Sequence, residues 1–219
     1  MTLFLSQLQK IKLKNMSDNK LVLDDFFIDA ISEVLNMGMG AAAAALSEMV
    51  DGEVSLSVPG IEFVSRLEAA NIIGEKARSD VSGVLQSFQG AINGDALLLF
   101  AEDQSLELVR AVLHEDLPLE DLTEMEQDAM IEIGNVILNA CVSNMADLFE
   151  TSMQGEIPEF VKGSLLKILS VEQDKGVVLL LKMDFSIQEK NIHGYVTFLM
   201  DFASVTELQK NIASFLGMD

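Results

Sequence analysis

The sequence predicts an α+β fold, a single fused domain with pseudo-twofold character built from two related halves. Three observations predict it. A long helical pattern followed by strand-like segments occurs twice; a set of polar residues recurs at identical spacing in both occurrences; and no proline- or serine-rich linker separates them.

The repeat is explicit when DAISEVLNMG is laid over DAMIEIGNVI at an offset of 99 residues. Asp29, Glu33, Asn36 and Pro59 then fall on Asp128, Glu132, Asn135 and Pro158, so both halves read Asp-x3-Glu-x2-Asn-x22-Pro. With the offset raised by one residue, AINGDALLLF and NIHGYVTFLM superpose Ile92, Gly94 and Leu99 on Ile192, Gly194 and Leu199. The domain is expected over residues 20–219, with halves at about 20–115 and 120–219. Residues 1–19 form an N-terminal extension ahead of the regular pattern, expected to be mobile, its first 15 residues dispensable or a misplaced start.

In the first half, helical spacing of Ile31, Val34, Gly38, Ala42, Ala45 and Met49 predicts a helix over 23–50 with that stripe facing the core. Asp51-Gly52 is a stop signal, and residues 53–58 alternate polar and apolar like a half-buried strand. Strands are expected at 81–89 and 91–101, divided by Gly90, then a short amphipathic helix at 104–114. The second half repeats the order. Thr123 is an N-cap candidate for a helix reaching about residue 150, with Met130, Ile133, Ile137, Cys141 and Leu148 facing the core. Strands near 163–171, 176–187 and 191–201 and a last helix at 204–216 complete it.

Composition narrows the function classes. At 219 residues and 49% hydrophobic, the chain can bury one sizeable core. Fourteen basic against 35 acidic residues give a formal charge of −21, which repels nucleic-acid phosphates and anionic membranes and favours protein or cationic partners. The longest apolar stretches, such as 176–181, fall far short of the roughly 20 residues that span a bilayer, and the opening residues lack a signal-peptide cleavage site, so no membrane insertion is expected. Cys141 is the single cysteine, and with His114 and His193 it forms no zinc spacing, which suits a reducing, cytoplasmic setting. Two histidines cannot supply duplicate Ser-His-Asp sites, Asp25, Asp29 and Glu33 lack EF-hand spacing, and Gly38-Met39-Gly40 is too short for a phosphate loop and sits inside a helix.

Asp29, Glu33 and Asn36 cluster on one side of their helix, away from the core stripe, as do Asp128, Glu132 and Asn135. A solvated face is the ordinary explanation of such residues. Solvation alone, however, tolerates many polar types and does not explain why Glu and Asn recur at the same two positions. Asp29 and Asp128 stand near helix starts, where a carboxylate complements the helix dipole. Pro59 and Pro158 are read as fixing a turn or strand end beneath the motif helix. Met37, Met39 and Met49 are assigned to the core ahead of a contact surface, and Cys141, which replaces Ala42, reads as a small buried hydrophobe rather than a nucleophile.

The duplicated signature resembles that of the CheC, CheX and FliY phosphatases of bacterial and archaeal chemotaxis, Asp or Ser followed by x3-Glu-x2-Asn-x22-Pro, and two intact copies resemble CheC-like members in particular. The resemblance runs from about residue 20 to the C-terminus. It implies two long motif helices and shorter helices beside an antiparallel sheet of about six strands. It further implies removal of the phosphoryl group from the phospho-aspartate of a CheY-type response regulator. Asn36 and Asn135 would position the attacking water, and Glu33 and Glu132 would anchor the partner, with Asp29, Asp128, Pro59 and Pro158 in support. The chain would bring no cofactor of its own, the divalent cation, Mg, coming with the phosphorylated partner. The same resemblance leaves room for a non-catalytic regulator-binding or flagellar-switch component, and for an adaptor that binds the receptor deamidase CheD.

Overall fold

The computed structural model describes residues 25–76, 80–113, 124–173, 176–187 and 190–217. The expected extension at 1–19, the Thr123 cap and His114 lie outside the described residues.

The motif helices come first in each half: α1, Asp25–Met49, and α4, Glu124–Leu148. After α1 come β1 (Val54–Val64), α2 (Arg66–Lys76), β2 (Val81–Gly90), β3 (Gly94–Ala101) and α3 (Glu102–Leu113). After α4 come β4 (Met153–Gly155), β5 (Glu159–Gly163), the single-turn α5 (Leu165–Ile168), a 3-10 turn at Val171–Gln173, β6 (Val177–Ile187), β7 (Lys190–Met200) and α6 (Phe202–Phe215). The fold is α+β as expected, with seven strands among the described residues rather than about six.

All pairings are antiparallel, in the order β1-β6-β7-β3-β2-β4, with β5 also on β2. β4 and β5 take the two ends of β2, Phe88 facing Gly155 and Leu85 facing Glu159, so they form one edge interrupted at 156–158. Each portion thus sends its first strand to the hairpin of the other: β1 pairs with β6, and β4 and β5 pair with β2. The central β3–β7 ladder is symmetric about the pair Leu97 and Thr197, whose numbers differ by 100. Around it Gly94 faces Met200 and Gly194 faces Phe100.

Side-chain alternation splits the sheet into two buried faces. Ala96, Leu98, Phe100, Val196, Phe198, Leu179 and Leu181 join the larger core with α1, α3, α4 and α6. Leu97, Leu99, Tyr195, Val178 and Leu180 join a smaller core under α2 and α5. The Gln127–Leu148 stretch is long and apolar enough to cross a membrane by length and composition, but half of its apolar window is buried, with Met130, Ile133, Ile137, Leu138 and Cys141 all in the larger core.

Several expectations need correction. Of the predicted α1 stripe, Ile31, Val34, Gly38 and Ala42 are buried, but Ala45 and Met49 are exposed; Leu35, Met39 and Leu46 take their place. Met37 is also exposed, so of the three methionines assigned to the core only Met39 is there. Leu148 is half-buried. The strand expected at 53–58 runs on to Val64, because a bulge sets Val58 and Pro59 against the single residue Met183 of β6 and the ladder then resumes at Gly60. The strand expected at 163–171 is instead α5 and the 3-10 turn: Gly163, at φ +144°, ends β5 there.

Candidate functional site

The two motif helices pack directly on each other. On α4, Asn144 Nδ2 donates to the carbonyl of Val34 on α1. Gly38 lies so close to α4 that an added Cβ would sit 3.1 Å from the Ala140 oxygen and 3.2 Å from the Cys141 Cα. Since Val34 meets Asn144 and the later Gly38 meets the earlier Ala140, the helices are antiparallel. Their motifs therefore lie toward opposite ends of the pair.

The structure gives both motifs the same exposure. Asp29 and Glu33 are exposed and Asn36 half-buried; Asp128 and Glu132 are exposed and Asn135 half-buried. Each Glu precedes its Asn by about one turn on one helix flank, which brings the expected Glu–Asn pairs together. Asp29 and Asp128 are each the fifth residue of their helix, just past the first turn in which the dipole acts strongly. Pro59 lies exposed in the β1 bulge, not at a strand end; Pro158 lies immediately before β5.

Beneath this shared surface the support differs. Asn36 Oδ1 accepts the backbone N–H of Val58 at 3.1 Å, and Asn36 Nδ2 donates to the Ser32 carbonyl at 3.0 Å. The bulge accounts for the first bond: Val58 is one of the two β1 residues set against one on β6, and Asn36 takes its N–H. The Asn-x22-Pro spacing thus has a structural meaning in the first copy, since Val58 immediately precedes Pro59.

In the second copy the oxygen of Asn135 accepts from a side chain instead, Asn139 Nδ2 at 2.6 Å. Asn139 Oδ1 accepts from Gln86 Nε2 at 3.0 Å, and the same nitrogen donates to the Glu156 carbonyl at 3.0 Å. Gln86 is a buried residue of β2. The interruption between β4 and β5 is clamped to β2 at three points: Glu156 N–H to Ser87 O at 2.8 Å, Glu156 O to Gln86, and Glu156 Oε1 to Gln89 Nε2 at 2.7 Å. Just past the clamp Ile157 is 87% exposed, whereas its counterpart Val58 is buried. Gln86 and Asn139 escaped the sequence reading because neither belongs to the repeated signature and nothing in their spacing links them.

Cys141 is fully buried, and burial pushes its thiol up to about 12, so it offers no thiolate. Among the described residues no group of three His, Cys, Asp or Glu side chains is arranged to hold a metal ion.

The family model described as "Chemotaxis phosphatase CheX" matches residues 81–182. The CheY-P phosphatase CheC of Bacillus subtilis (strain 168) is 23% identical over 192 residues, covering 83% of this chain and 91% of that protein. Thermotoga maritima FliY superposes with a TM-score of 0.73 at 15% identity, covering 90% of this chain and 100% of that one. The FliM chain of a FliM-SpeE complex from H. pylori gives 0.65 at 9% identity, covering 90% and 100%. These two structural likenesses are of fold.

Proposed function

We propose that the chain, which is similar to the CheX family model over residues 81–182 and to the CheC of Bacillus subtilis over most of its length, is a member of the CheC/CheX/FliY family and dephosphorylates the phospho-aspartate of a CheY-type response regulator in the cytoplasm. The observation that carries this reading is the pairing, on both motif helices, of an exposed glutamate with a half-buried asparagine whose carboxamide oxygen is already held from within.

The regulator brings the acyl phosphate and its divalent cation, so this chain need only place a water. A carboxamide has two donor hydrogens and two acceptor lone pairs. Asn36 uses one hydrogen on Ser32 and one lone pair on Val58, and the remaining donor and acceptor suffice to orient a water in line with phosphorus. Asn135 spends one lone pair on Asn139 and offers the same function. Neither needs to act as a base. Glu33 and Glu132, exposed one turn away, pair with a cationic side chain beside the regulator's phosphorylated residue and fix its approach.

The test is the decay of a labelled phospho-regulator with and without this protein. Accelerated decay that the combined Asn36→Ala, Asn135→Ala change abolishes, with regulator binding retained, supports the proposal; unchanged acceleration by that variant overturns it. A second reading, docking without hydrolysis, is favoured by one observation: Asn36 is tied at both ends of its carboxamide to backbone, as a purely structural residue would be. Binding with no acceleration by the unmodified protein would select it.

A further inference from the structure

From the chain of carboxamides behind Asn135 we infer that Gln86 and Asn139 are positioning residues for the second site alone, setting which end of the Asn135 amide faces the partner. The inference rests on the phosphatase reading above and adds that the two sites are held by different devices.

The direction of the relay follows from its inner end. The Glu156 carbonyl can only accept, so the Gln86 group beside it must be Nε2, as found at 3.0 Å. That nitrogen's second hydrogen goes to Asn139 at 3.0 Å, which obliges Asn139 to present its oxygen inward and its Nδ2 to Asn135. Asn135 must answer with its oxygen, at 2.6 Å, and its NH2 is turned away from the relay. A backbone carbonyl on the β4–β5 interruption thus sets the orientation of a side chain at the motif surface through two intervening amides.

Space for the relay is built in. A Cβ on Gly155 would lie 2.7 Å from Gln86 Nε2 and 3.1 Å from Asn139 Oδ1, so a side chain at this strand position would push the relay amides aside. At the 99-residue offset, Gly155 corresponds to the half-buried Leu56, and Asn139 to Gly40. The first copy therefore has apolar bulk and no amide where the second has the relay, and Asn36 relies on the Val58 N–H. Stability is a poor explanation for Gln86. Its Oε1 is buried with no hydrogen-bond partner among the described residues, a defect that an apolar side chain would avoid.

The experiment uses two single-site proteins, Asn36→Ala to isolate the second site and Asn135→Ala to isolate the first, each carrying Asn139→Ala, Asn139→Asp or Gln86→Leu. In the Asn36→Ala protein, Asn139→Ala should lower kcat for phospho-regulator hydrolysis about tenfold with KM within about twofold. Asn139→Asp should do at least as much, because a carboxylate still accepts from Gln86 but cannot donate to Asn135. Gln86→Leu should give a smaller fall. In the Asn135→Ala protein the same changes have no site to orient and should leave turnover as it was. Equal losses in both backgrounds, or a rise in KM accompanied by a lower melting temperature, would mean a structural role and overturn the inference. So would an Asn36→Ala protein that binds the regulator but accelerates nothing while Asn135→Ala remains active. Absence of acceleration in the unmodified protein would instead overturn the phosphatase reading, and this inference with it.

Discussion

The α1 and α4 motifs present the same face to solvent and rest on different foundations. Asn36 is tied to the main chain at both ends of its amide, to Val58 N–H and to Ser32 C=O. Asn135 is tied to Asn139, and through it to Gln86. The difference originates in the edge strands. β1 passes through its proline as a bulge and offers the helix a spare N–H, while the corresponding edge of the second copy breaks at 156–158 and is clamped to β2 instead. A repeated sequence signature therefore specifies the outward chemistry but not how it is held, and the two copies should respond differently to the same mutation.

The largest effect is expected on turnover. If each site works alone, Asn36→Ala and Asn135→Ala should each leave a partly active protein, whereas the double change should remove the acceleration by about two orders of magnitude, the scale of losing a preorganised hydrogen-bonding group at a reacting centre. Single-turnover decay of the phospho-regulator measures this. A single change as damaging as the double would break the comparison by showing one site to be silent.

Next in size is the helix contact between the sites. Gly38→Ala drives a methyl against the Ala140 carbonyl and the Cys141 Cα, backbone atoms that cannot move alone, and should destabilise by about 1–3 kcal/mol in urea unfolding. Because Val34 and Asn144 bond beside the same contact, the two helices should separate together and both sites should lose activity. Loss at one site only would show that the pair does not move as a unit.

The supports themselves can be compared by stability. Asn36→Ala strands the Val58 N–H within the bulge and should cost about 1–2 kcal/mol. Asn135→Ala releases only the half-buried Asn139 side chain, which water can satisfy, and should cost less than about half as much. Equal losses would mean that the bulge N–H finds another partner.

These differences mark where the sequence was readable. The motif helices were legible because Ile31 and Val34 in one, and Met130, Ile133, Ile137 and Cys141 in the other, repeat at helical spacing over a long window. The faces bearing Glu33, Asn36, Glu132 and Asn135 follow from the same periodicity. α2 was missed because, among its described side chains, it buries only Ala69, Ala70 and Ile73, too small a stripe to stand out from a loop. α5 was taken for strand because its run of leucine and isoleucine is short, and short apolar runs carry no period. Pro59 looked like a strand end because proline cannot donate to a ladder, but a bulge removes that requirement. The relay was not legible at all: it depends on Gln86, Asn139 and Glu156 meeting across β2, α4 and the β4–β5 interruption, a tertiary fact with no local signal.

The smallest expected effect concerns Gly40, which occupies the position of Asn139 in the first copy. Unlike Gly38, it is exposed, and an added Cβ meets nothing within 4 Å. In a helix interior such a glycine is a net cost, so Gly40→Ala should stabilise the protein by about 0.5–1 kcal/mol, read as a higher urea midpoint with an unchanged slope. If the bareness of this helix position has no use, turnover at the first site, measured with Asn135→Ala in place, should be unaffected. A more stable protein whose first site turns over more slowly, with KM raised, would sharpen the comparison. It would mean that the helix surface beside Asn36 is kept bare for the docking regulator, so that one copy supports its asparagine with an added amide while the other yields the same position to the partner.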